Sequence, residues 1–264
     1  MVPVELAWQP GLQLYTLRSA DLVDILDNMA ERLFQDIPPF KTKPHVCVLT
    51  DICNEPDDAE SLTRFLLYAN EFQIDALIAT TSFWQQTSTH VEQIHQIIDA
   101  YGSVETALNT QVPPNRKYPL ADSLRAVSRS GLGGYGLKSA EGPICEGTEL
   151  LIQAIDAIEE NGHIWVLLWG GANVLAQALL NVKKSRSEAE LAKFTAKLRV
   201  YAISDQDNSG PWIRLNFPSI FYIASTHGCK ILYFIDCSEP TPSILCFRKE
   251  LYYILLVKYS SQEY

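Results

Sequence analysis

The sequence predicts a single large α/β domain, a doubly wound and mostly parallel sheet with crossover helices. Three observations carry this. From Lys43 onward, short apolar runs alternate with amphipathic helical patterns, the signature of parallel strands joined by crossovers. The alternation shows no internal repeat and no low-complexity tract, as an ordinary α/β domain requires. Polar turns rich in Asp, Asn and Gly follow the apolar runs, which is where open α/β sheets place their ligands.

The predicted strands are Val46–Thr50, Ile74–Thr81, Ile164–Trp169, Val200–Ser204 and Ile220–Ser225. A first helix starts near Asp57, with Leu62, Phe65, Leu66 and Ala69 on one face. A second starts after Ser88, where Thr89 and Glu92 form a capping-box pair, and buries Val91, Ile94, Ile98 and Tyr101. Thr148 is expected to cap a third, lined by Leu151, Ile155 and Ile158 and stopped at Gly162. Asn173–Val182 makes a fourth, and Ser187–Leu198 a fifth with its own capping-box pair, Ser187 and Glu190. The stretch Asn109–Glu146, holding GLGGYG at 131–136, reads as a long irregular insertion of the kind that carries function. Domain bounds follow: a helical N-terminal extension over 1–42, with Leu22, Ile25, Leu26, Met29 and Leu33 at helical spacing; the α/β domain over 43–228; and a divergent tail over 229–264.

The 264 residues are 47% hydrophobic with a net charge of −10. An acidic surface repels phosphate backbones and anionic lipid, so neither nucleic acid nor a membrane is an expected partner. No apolar run reaches the roughly 20 residues that span a bilayer. No basic leader opens the chain, so the expected compartment is the cytoplasm. Six cysteines, at 47, 53, 145, 229, 237 and 246, show no paired spacing and read as buried thiols.

The chemistry concentrates in LTDICNEPDDAESL (49–62), which leaves a strand and opens a helix. Asp51, Asn54, Asp57 and Asp58 gather there, and the three carboxylates repel one another unless a counter-charge sits between them. A hard cation with oxygen ligands supplies one, and Ca²⁺ tolerates irregular geometry better than Mg²⁺. Asp57 and Asp58 are also what a helix N-terminus favours by itself; Asp51, at a strand end, is not explained that way.

Two further turns share this edge. In WVLLWGGANVLAQAL (165–179), Gly170 and Gly171 let the backbone approach a ligand and a helix begins. In LRVYAISDQDNSGPWIRLNFP (198–218), Asp205 and Asp207 leave a strand end ahead of Trp212 and Arg214. An Asx-rich loop is common after strands, so the weight lies in three turns converging on one edge. His45, His90, His95 and His163 read as structural or solvated, whereas His227 follows the last strand. Trp84 is placed to stack on a sugar or base, or to serve the core.

The order strand, Asp, turn, Asp-Asp-Ala, helix resembles the signature turn of calcium-dependent nucleoside hydrolases. The full string TDICNEPDDAESL is more similar to their cellulose-binding, nucleoside-hydrolase-like relatives, though Ile52–Pro56 is a longer spacer than the ordinary enzymes have. The likeness runs from about Lys43 to Gly228. It implies a Ca²⁺ ion on Asp51, Asp58 and the backbone carbonyl of Ala172, with Asp51 as the base acting on water. Asp57, Asn54, Asn173, Asp205 and Asp207 would face the sugar. The ligand would be a nucleoside or other small sugar, or a polysaccharide. The implied activity is hydrolysis of an N-glycosidic bond, or carbohydrate binding without turnover. The family's C-terminal acidic ligand has only a faint counterpart in SEPTPS (238–243): Glu239 or Asp236 substitutes, or the shell is incomplete, as in a C-terminally truncated product.

Overall fold

A computed structural model describes residues 43–225. The expected helix within 1–42, His227, Asp236, Glu239 and three of the cysteines (229, 237 and 246) lie outside the described residues. Six strands form one all-parallel sheet in the order β3-β2-β1-β4-β5-β6. They are β1 (His45–Thr50), β2 (Gln73–Ala79), β3 (Ser128–Ser130), β4 (Ile164–Leu168), β5 (Leu198–Ala202) and β6 (Phe221–Ala224). The helices are α1 (Pro56–Leu66), α2 (Val91–Thr110), α3 (Ala121–Ala126), α4 (Gly136–Ala140), α5 (Glu146–Ala157), α6 (Asn173–Ser185), α7 (Glu188–Ala196) and α8 (Ser209–Asn216). Among the described residues, no helix is long and apolar enough to cross a membrane.

Alternate residues of the central strands feed two separate cores. Cys47 and Leu49 of β1, with Val166 and Leu168 of β4, pack under Leu151 and Ile155 of α5 and Leu175 and Leu179 of α6. Val46 and Val48, with Leu167, pack on the other face against Leu62, Phe65 and Leu66 of α1 and Ile94 and Ile98 of α2. Strands buried on both faces must be apolar at every position, which is why they read as unbroken runs.

Where the elements depart from expectation, specific contacts decide. The insertion is not irregular: it contains β3, α3 and α4. Thr89 does not cap α2. Its hydroxyl bonds Ser130 Oγ of β3 at 2.5 Å, and His90, the N-cap residue, takes the Glu92 side chain instead at 2.8 Å. Thr148 lies inside α5, which Cys145 precedes, and the helix ends at Ala157, well before Gly162. The Ser187–Glu190 capping box forms as expected, at the start of α7. Of the thiols described, Cys47 is buried but Cys53 is exposed.

The strand order reverses between β1 and β4. Chains leaving the carboxyl ends of these neighbours diverge to opposite sides and open a crevice there, the standard ligand position of such sheets.

Candidate functional site

The crevice is lined by four turns, those after β1, β2, β4 and β5. Asp51 is the first residue beyond β1 and only 4% exposed. Its backbone carbonyl accepts the Asn54 N–H at 3.0 Å, closing the acidic turn in which Cys53 takes φ +78°. Gln85 Nε2 donates to the Asp51 and Ile52 carbonyls, both at 3.3 Å. Asp51 Oδ2 makes no hydrogen bond.

Asp58, in the first turn of α1, is also buried, and Thr50 Oγ1 donates to its Oδ2. Burial raises the pKa of both carboxyls, and the Asp51 charge pushes Asp58 up further. Ser82 donates to Asp51 and pulls the other way. Two carboxylates held this close out of water favour a shared proton or a cation between them. Asp57 is half-buried and accepts the Asp58 N–H at 2.9 Å, a use of its side chain that closes the helix start. Asn54 is half-buried on the same turn.

The glycine pair lets β4 meet this turn. A Cβ at Gly170 would stand 2.7 Å from the Asp51 nitrogen and 2.8 Å from Thr80 Oγ1. One at Gly171 would stand 2.5 Å from the Thr81 carbonyl and 2.7 Å from Asp207 Oδ2, so only glycine fits either place. Ala172 is the N-cap of α6, and its carbonyl accepts the Ala176 N–H at 2.9 Å, leaving one lone pair. Asn173 is fully buried. Its Nδ2 donates to Thr81 Oγ1 at 2.9 Å and the Gly134 carbonyl at 2.8 Å, which fixes the amide and leaves Oδ1 without a partner.

Asp207 is 5% exposed. Its Oδ1 accepts the Ser209 N–H at 2.8 Å, Oδ2 has no hydrogen bond of good geometry, and burial raises its pKa. Asp205 goes elsewhere, since Arg214 holds both its oxygens at 2.8 and 2.7 Å. The structure thus brings Asp51, Asp58, Asn173 and Asp207 to one crevice and ties Asp205 into an ion pair beside it.

Sequence reasoning missed the turn after β2. Thr80, Thr81 and Ser82 are all completely buried, and Ser82 Oγ accepts the N–H groups of Trp84 and Gln85, each at 3.2 Å. A run of three small hydroxyl residues at the end of an apolar strand was the available signal. The histidines stand apart: His45 pairs with Asp75, His90 with Glu92 and His163 with Arg199.

Among the described residues, no three His, Cys, Asp or Glu side chains are grouped as a metal cluster. That count omits amide and backbone oxygens, which a calcium ion uses freely. Asp51 Oδ2, Asn173 Oδ1 and Asp207 Oδ2 are buried acceptors without a well-formed hydrogen bond, so this donor set fits a hard cation or the hydroxyls of a sugar.

The family described as cellulose-binding Sde182, nucleoside hydrolase-like domain, matches residues 45–236. A solved nucleoside hydrolase-related hypothetical protein from Saccharophagus degradans, associated with carbohydrate metabolism, is 34% identical with a TM-score of 0.65. The alignment covers 69% of this chain and 44% of that one. No curated protein matches the chain. With most of its length matched and its acidic turn at the sheet's switch point, the chain belongs to the cellulose-binding, nucleoside-hydrolase-like family.

Proposed function

We propose that the crevice outside β1 and β4 binds a sugar together with a calcium ion and hydrolyses an N-glycosidic bond of a nucleoside or related riboside. The observation that carries this is the trio of buried acceptors without donors: Asp51 Oδ2, Asn173 Oδ1 and Asp207 Oδ2. A buried acceptor left unmade costs about 1–3 kcal/mol, and a polyhydroxylated ligand supplies the missing donors.

Asp51 and Asp58 would hold the ion, with the free lone pair of the Ala172 carbonyl beside them. An ion held there would offset the repulsion between the two carboxylates and would supply Lewis-acid polarisation of oxygen ligands. Asn173 and Asp207 grip sugar hydroxyls, joined by Asn54 and Asp57 from the acidic turn. Asp51, steadied by Ser82 and with its peptide carbonyl held by Gln85, takes a proton from the water that attacks the anomeric carbon. The C–N bond breaks through an oxocarbenium-like transition state; the sugar keeps the water's hydroxyl, and the leaving nucleobase takes the electron pair and a proton from solvent, to which Asp51 returns its own.

The test is release of p-nitrophenol from p-nitrophenyl riboside with and without calcium. Activity that needs calcium and vanishes in Asp51→Ala supports the reading, and full activity in that variant sinks it. A second reading keeps the pocket and drops the turnover: a carbohydrate-binding domain acting on a polysaccharide. The family description, cellulose-binding, favours it. Saturable binding of an oligosaccharide, with no product released from riboside or glycoside, selects it.

A further inference from the structure

Beside the crevice stands an aromatic group that the proposed chemistry does not use. Phe83 and Trp84, next to Ser82 in the turn after β2, are 52% and 65% exposed, unusual for rings of this size. Their planes meet edge-to-face at 88° with centroids 4.9 Å apart, and the Tyr135 ring also meets Phe83 edge-on, at 6.5 Å. The backbone beneath is fixed: the Phe83 N–H donates to the Gln206 carbonyl at 2.6 Å, and the Trp84 N–H to Ser82 Oγ at 3.2 Å. Tyr135 is fixed as well. The carbonyl before it is held by Thr81 and Asn173, and the Leu137 N–H by Asn208 at 2.8 Å.

We propose that Trp84 is a stacking platform for a second sugar ring, so that the ligand of the crevice is an oligosaccharide running out over the turn after β2. This rests on the second, carbohydrate-binding reading of the crevice and names the residue that extends it to a second ring. Three features support it. The turn joins the platform to the site: Ser82 Oγ accepts the Trp84 N–H, and Gln85, the next residue, donates to the Asp51 carbonyl. The perpendicular rings make a buttressed face and not a parallel clamp, so Phe83 supports Trp84 and one flat ring stacks on the indole. The platform opens to solvent, which suits a chain that continues beyond it and not a base enclosed on both faces. The apolar C–H face of a pyranose covers an indole while its hydroxyls stay wet, and a neutral polyol meets no repulsion from the carboxylates alongside.

Calorimetric titration of the full chain with cellotetraose and with glucose tests this. The tetrasaccharide should bind at least about tenfold tighter than glucose. Trp84→Ala should bring it to the glucose level without changing glucose, and Trp84→Phe should fall between. Equal tetrasaccharide affinity in wild type and Trp84→Ala overturns the proposal, as does a wild type that binds both sugars equally or neither. Asp51→Asn separates the two readings. It should weaken both sugars, and if it weakens neither while Trp84→Ala weakens the tetrasaccharide, the crevice reading fails and the platform stands.

Discussion

The two edges of the sheet handle polar groups in opposite ways. At the amino edge they are paired and exposed. Arg186 grips both oxygens of Asp156 at 2.7 Å, Lys193 meets Glu160 at 2.8 Å, and Lys197 donates to the Ile155 and Asp156 carbonyls, which finish α5. At the carboxyl edge they are buried and short of partners. Of the seven buried side-chain atoms without a hydrogen bond among the described residues, five belong to Asp51, Thr80, Asn173, Asp207 and Ser209 on that edge. Both edges come from the same strands and the same helix packing. The amino edge thus satisfies its polar groups within the fold, whereas the carboxyl edge leaves buried groups unpaired, as the proposed ligand site would.

The contrast is broken most severely by removing Asp51. Asp51→Ala should lower riboside turnover by roughly 10²–10⁴-fold, the usual worth of a positioned base, while the far-ultraviolet dichroism stays unchanged. Steady-state release of p-nitrophenol measures it. Filling the glycine pair comes next. Gly171→Ala places a methyl against the Thr81 carbonyl and Asp207 and should destabilise the fold by about 1–3 kcal/mol in denaturant titration.

Neutralising Asp58 should do the reverse when calcium is absent. Its pKa is raised in the folded state by burial and by Asp51, so the folded chain binds more protons than the unfolded one above the ordinary carboxylate value of 3.8. Stability is then lost as pH rises through the raised value, and Asp58→Asn should remove part of that loss, raising Tm at neutral pH by about 2–4 °C. Calcium affinity should fall as pH drops, because protons compete for the same oxygens. Thermal melts across pH, with and without calcium, check both signs. The smallest effect belongs to the amino edge: Arg186→Ala should cost no more than about 1 kcal/mol and leave sugar binding untouched, since its partner Asp156 is exposed.

The same contrast explains what the sequence made legible. Strands β1, β2, β4 and β5 read directly because their apolar side chains divide between two apolar cores, one on each face of the sheet. Strand β3 did not: Ser-Arg-Ser is short and polar, and among the described residues β2 alone pairs with it. The capping box of α7 could be read because Ser187 and Glu190 have only each other, whereas that of α2 failed because Ser130, far along the chain, claims Thr89. At the site, Asp51, Asp58 and Asn173 were visible as polar residues at strand ends. The roles of Ser82 and Gln85 were not, because each acts on Asp51 across two adjacent strands, a relation that spacing along the chain does not encode.

The carboxyl edge, as proposed, is a built cation and sugar site. The melting temperature of the full chain in millimolar calcium against EDTA, in wild type and Asp51→Asn, tests that most directly, because an ion that binds only the folded state must raise it. A rise in the wild type that disappears in Asp51→Asn is the predicted result. No rise in the wild type, or the same rise in both chains, contradicts it.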